Sequence, residues 1–192
     1  MSGITGSTNS KSGTVLAQRD HGIRRAEMWR QHTAASGTTS PLDNWYKTGI
    51  SGSGQDVGRA GGLPQPHVDG VATMGMTHSS GTWTFPEIGM WYIQFTCNFY
   101  TLGAVDSRYN HAELLGTHDN SSYQTLAASS GGLHNFATSV HNSAVASTIF
   151  DVNDTANAKI RVGTVYQTTS VATWVADNYN ITCLLFMRLG DT

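Results

Sequence analysis

Charge is scarce in this chain. Asp, Glu, Lys and Arg make up 12% of its 192 residues, against roughly 25% in an ordinary soluble domain. The net charge of −2 offers no basic field to a phosphate backbone, and no run of like charges marks a tail, so a nucleic-acid partner is not expected. Two cysteines, Cys97 and Cys183, are too few for a disulfide framework or a zinc module, and reduced thiols are expected at both. Nowhere do 18 apolar residues run together, which argues against a membrane-spanning helix. The opening MSGITGSTNS lacks a basic segment followed by an apolar one, so no secretion signal is expected.

Ser, Thr and Asn stand where charge would be, alongside 21 glycines. Uncharged hydrogen-bonding residues suit strands and turns and do little to keep copies of a protein apart. The length fits one domain. Residues 1–12 are small and polar and read as an extended N-terminal arm, leaving 13–192 as a single domain. Within it, 14–18 is β-like, and 24–31 (RRAEMWRQ) fits a strand or a helical turn, the strand being preferred. Residues 49–66 form a Gly-rich loop closed by Pro64 and Pro66.

Beyond that loop a period of two emerges. In 90–100 (MWYIQFTCNFY), Trp91, Ile93, Phe95, Cys97 and Phe99 share one face, while Met90, Tyr92, Gln94, Thr96, Asn98 and Tyr100 share the other. Further strands are expected at 111–115, 123–127, 144–152 and 159–167, separated by turn material such as HDNSS and NDTAN. A final strand at 181–189 (ITCLLFMRL) sets Ile181, Cys183, Leu185 and Met187 opposite Leu184 and Phe186. The pattern predicts an all-β, antiparallel sandwich. Such a sandwich shelters one face of each strand, so two strands apolar on both faces need a second cover. A subunit interface is the expected cover, with Met90, Tyr92, Leu184 and Phe186 assigned to it; a loop or the arm of the same chain is the alternative.

No catalytic constellation emerges. There is no GxSxG elbow and no phosphate-cradling loop ending in Gly-Lys-Ser/Thr. His111, His118 with Asp119, His134 and His141 lack the tight spacing of a zinc motif, and His67, Asp69 and His78 are read as packing and hydrogen-bonding groups. Glu87, Glu113, Asp119 and Asp151 lie beside turns. The expectation is a non-enzyme with no metal and no cofactor.

The stretch GTWTFPEIGMWYI (81–93) resembles the signature of C1q-like and tumour-necrosis-factor-like jelly rolls. Gly81, Trp83, Thr84, Pro86, Gly89, Trp91 and Tyr92 occupy its places in order. Ile88 stands where that family often has a second Pro, and Cys183 where its last strand has a Gly. The resemblance implies a jelly roll over roughly 13–192 and trimeric assembly. It also implies that the strand after the Gly corner and the last strand are neighbours, so that Cys97 and Cys183 lie close. Within that superfamily, GTVLAQRD, SSGTWTFPEIGMWYI and FMRLGD look most like structural proteins of tailed bacteriophages.

This resemblance implies a homotrimeric capsid decoration or cement protein, made in the host cytoplasm and carried on the capsid surface, with the major capsid protein or another virion protein as partner. Ser2, Ile4, Thr5 and Ser7 of the arm would attach it. The alternative is a tail or head fibre module that recognises a host glycan through Tyr109, Tyr123, Trp174 and Tyr179, four aromatics in or near expected loops. A cellular cytokine-like ligand is disfavoured by the missing secretion signal.

Overall fold

A computed structural model describes residues 23, 25–47, 75–101, 103, 105–134, 139–176 and 180–191. The arm at 1–12 with Ser2, Ile4, Thr5 and Ser7, the run at 14–18, the Gly-rich loop at 49–66, and His67, Asp69 and Tyr179 lie outside the described residues.

The described residues form strands β1 (Arg25–Gln31), β2 (Trp45–Lys47), β3 (Thr77–Ser79), β4 (Thr82–Thr84), β5 (Gly89–Thr101), β6 (Ser107–Thr117), β7 (Gln124–Leu133), β8 (His141–Val152), β9 (Lys159–Tyr166), β10 (Val171–Thr173) and β11 (Cys183–Gly190). They build two antiparallel sheets, and none of them is helical. In the first sheet β5 pairs with β8 from Gly89 to Tyr100 along one edge, and divides its other edge between β11 and β10. Beyond β11 come β1 and then β2. The second sheet runs β3-β4-β9-β6-β7. This is the jelly-roll sandwich that the sequence predicts, with 24–31 a strand. Strands β2, β3, β4 and β10, three residues each, are too short to show a period of two and were not anticipated.

Aromatic side chains fill the space between the sheets. Trp83 is fully buried, edge-on to Trp45 at 5.2 Å and to Trp29 at 6.4 Å, and it also meets Phe186 at 6.0 Å. Phe85 packs on Trp91, Phe150 and Phe186. A two-residue turn, Ser80–Gly81 with φ of 49° and 72°, brings Trp83 back beside His78. Positive φ at both positions is the I′ geometry that matches the twist of a hairpin.

The corner between Pro86 and Gly89 is built around a buried arginine. Arg188, 6% exposed, donates from Nε to the Ile88 carbonyl at 3.1 Å. It also pairs with Glu87 at 3.3 Å and with Asp191, while Arg25 bonds Glu87 from the other side. Gly89 has φ 134°, and a Cβ there would stand 2.5 Å from the Gly190 carbonyl oxygen and 2.9 Å from the Arg188 guanidinium. Only glycine permits both that backbone and that approach. Glu87, a candidate carboxylate by sequence, therefore ties β1, β11 and the entry to β5 together.

Two residues along β1 from Arg25, on the same inner face of the first sheet, Glu27 is buried. It accepts from Trp29 Nε1 at 3.0 Å and Met76 N at 2.7 Å, and pairs with Lys47 Nζ at 2.5 Å. Nothing in the hydrophobic period announced this pair, because the Lys47 partner lies on a strand three residues long.

Candidate functional site

Register decides which side chains the first sheet turns away from the core. Leu184 pairs with Phe95 and Phe186 with Ile93, and all four are fully buried between the sheets. The assignment of Leu184 and Phe186 to an outer interface is thereby corrected. Both faces of β11 are apolar, so composition alone does not tell inside from outside, and one step of register exchanges the two. Met90 and Tyr92 do lie on the outer face, and their companions there are Leu185 and Met187.

That outer face is ordered in rows. Ile149, Tyr92, Met187 and Ala26 form one; Ser147, Gln94, Leu185 and Met28 the next; Val145, Thr96, Cys183 and Arg30 the third. Ile149 is 57% exposed and Val145 48%, while Tyr92, Leu185, Met187 and Met28 are half-buried. A polar thread runs up β5, with the Tyr92 hydroxyl donating to Gln94 Oε1 at 2.8 Å and Gln94 Nε2 donating to Thr96 Oγ1 at 3.3 Å. Arg30 is the one charged residue in these rows, and its Nη1 donates to the Ala176 carbonyl at 2.9 Å. An apolar, charge-depleted face with satisfied polar groups is the composition of an interface core.

The four aromatics assigned to glycan contact do not converge. Tyr109, 42% exposed, stands edge-on to His111 at 5.2 Å on β6. Tyr123 lies beneath Arg161, whose guanidinium carbon is 3.8 Å from the ring centre, and its hydroxyl is buried without a hydrogen-bond partner. Trp174 packs on His141 at 4.2 Å beside Tyr100, at the end of the first sheet. Tyr179 lies outside the described residues. Among the described residues no ring contact joins any two of these aromatics.

The histidines are dispersed in the same way. His78 is wedged between Trp83 and Trp29, with Nε2 3.4 Å from Asp43 Oδ1, and burial lowers its pKa from the imidazole value although Asp43 opposes the shift. His118 stacks on Phe150. Among the described residues no group of three or more His, Cys, Asp or Glu side chains could hold a metal ion. Asp119 accepts at one oxygen from the Thr117 hydroxyl and from the amides of Ser121 and Ser122, and these bonds hold its pKa far below the usual carboxylate range.

Cys97 and Cys183 are free thiols on neighbouring strands, but they project from opposite faces of the sheet. Cys97 is fully buried among core residues; Cys183 pairs with Thr96 on the outer face. Adjacency of the strands agrees with the resemblance, whereas opposite parity rules out a bridge without rebuilding the sheet. Burial raises the pKa of both thiols, most strongly at Cys97.

No protein-family model and no curated protein matches the chain. Solved structures do. Murine APRIL crystallised at pH 5.0 is 11% identical over 85% of this chain and 98% of its own, with a TM-score of 0.54. Eiger, a TNF from S. frugiperda, is 11% identical over 89% of this chain and 96% of its own, with a TM-score of 0.55. At such identity the likeness is one of fold, and the fold is the TNF-like jelly roll that GTWTFPEIGMWYI resembles.

Proposed function

We propose that this chain is a homotrimeric structural protein of a tailed-bacteriophage particle, a decoration or cement subunit on the capsid surface. It assembles through the outer face of its first sheet and holds the major capsid protein or another virion protein, leaving no catalytic role to the domain. One observation carries the trimer: the rows of Ile149, Tyr92, Met187, Leu185, Met28 and Val145 on the outer face. Burying each such side chain is worth about 1.5–3 kcal/mol relative to full exposure, so shielding the half-exposed pair Ile149 and Val145 contributes roughly 1.5–3 kcal/mol per subunit. The low charge of the chain supports the same reading, since little electrostatic repulsion opposes association. The virion placement rests on the short motifs quoted above.

Native mass spectrometry tests the assembly, with a mass of three chains expected. A chain that stays single at high concentration removes the basis for the trimer. Location is tested separately by probing purified particles with an antibody to the domain, and label on the capsid shell is expected. Label confined to tails would favour the fibre reading instead.

A further inference from the structure

The end of the sandwich where β6 turns into β7 holds a recess of about 290 Å³ beside Phe150 of β8. We propose that this recess is a binding site for one neutral, hydroxyl-rich sugar ring. The inference goes beyond assembly and holds for a decoration subunit and a fibre module alike. Phe150 and Leu126 make the apolar floor, with His118, Asp119, Ser122 and Gln124 around them. Its size lies near the lower end of ligand pockets, about 300 Å³, and suits a single ring better than an extended chain.

Three features fit that occupant. His118 lies nearly parallel to Phe150, ring centres 4.6 Å apart and planes 20° apart. Phe150 is buried while His118 is exposed, so the pair presents a flat surface backed by the core. A pyranose has one face of C–H groups that packs on such a surface. Gly116 allows the floor to close: a Cβ there would stand 2.5 Å from Leu126 Cδ1 and 3.1 Å from Phe150 Cε2.

The third feature is an oriented acceptor. Asp119 uses Oδ1 for the bonds from Thr117, Ser121 and Ser122. Its orientation is thus set by the turn, and Oδ2 stays outside those three bonds and can accept from a sugar hydroxyl. Charge-assisted hydrogen bonds of this kind are stronger than neutral ones. Ser122 and Gln124, both exposed, add a hydroxyl and an amide that each donate and accept. The carboxylate also selects by repulsion: an acidic sugar would bring a like charge into the recess.

Saturation-transfer NMR on the full chain tests this, with glucose, galactose, mannose and N-acetylglucosamine as neutral probes and N-acetylneuraminic acid as the acidic one. Saturation of at least one neutral sugar and not of the acidic one is expected. The variant H118A should weaken that binding up to about tenfold, the worth of one stacking contact, and Q124A should weaken it too. Both residues are exposed, and an unchanged melting temperature and native mass would show that fold and assembly survive. No saturation of any neutral probe overturns the proposal. So does preference for the acidic sugar, or binding that persists at full strength in both variants.

Discussion

His78 and Trp83 face each other across the β3–β4 hairpin, ring centres 4.6 Å apart, so an ionisable imidazole is part of the aromatic core. Desolvation lowers its pKa below 6.5, with Asp43 acting in the opposite sense. The unfolded chain then binds the proton more readily than the folded one. Stability is therefore present in full above about pH 6.5 and is lost as the pH falls from there through the folded-state value. Urea unfolding midpoints of the parent and H78Q across this range should show a shallower acid loss in the variant. Parallel curves would mean that other groups set the acid sensitivity.

At the corner before β5, G89A should destabilise the domain by about 3 kcal/mol, because it combines a left-handed backbone with a collision against Gly190 and Arg188. Thermal unfolding reads the loss. Gly103, where an added Cβ would meet nothing within 4 Å, is the control, and G103A should leave the melting temperature close to that of the parent.

Removing Glu27 should cost more than removing Lys47. E27A leaves the Lys47 ammonium, Trp29 Nε1 and the Met76 amide without their acceptor, and breaking one side of a buried pair typically costs about 3–5 kcal/mol. K47M also leaves one charge of the pair behind, but the Glu27 carboxylate keeps its hydrogen bonds from Trp29 Nε1 and the Met76 amide, so the loss should be the smaller one. Chemical denaturation of the two variants gives the order.

Adjacent positions on β11 should respond oppositely to substitution. L184A opens a cavity in the core and should lower stability by about 2–5 kcal/mol, leaving the native mass that of the parent. L185E places a charge in the outer rows and should change the native mass while the isolated fold persists. Circular dichroism and native mass spectrometry on both variants separate the effects. Dissociation by L184A without loss of stability would contradict the register that puts Leu184 beneath Phe95.

The sequence was most legible where one rule dominated. β5, β8 and β9 carry long runs of period two, and the Pro86 and Gly89 of the Gly81 to Tyr92 motif marked the corner that leads into β5. It was least legible where two outcomes look alike from composition. Leu184 and Leu185 have the same side chain, and only pairing with β5 shows that the first is inside. The recess beside His118 is hidden for a different reason: its parts come from the end of β6, the start of β7 and the end of β8, and His118 and Asp119 read as ordinary turn residues. The Asp119 turn was visible as HDNSS; the Phe150 ring beneath it was not.

Opposite outlooks of Cys97 and Cys183 give this domain two built-in reporters of identical chemistry. Under alkaline labelling, a maleimide should reach Cys97 only when the sheets part, and Cys183 whenever the outer face is unshielded. The two modification rates, followed by peptide mapping in one sample, would therefore date folding and association independently, without any engineered probe.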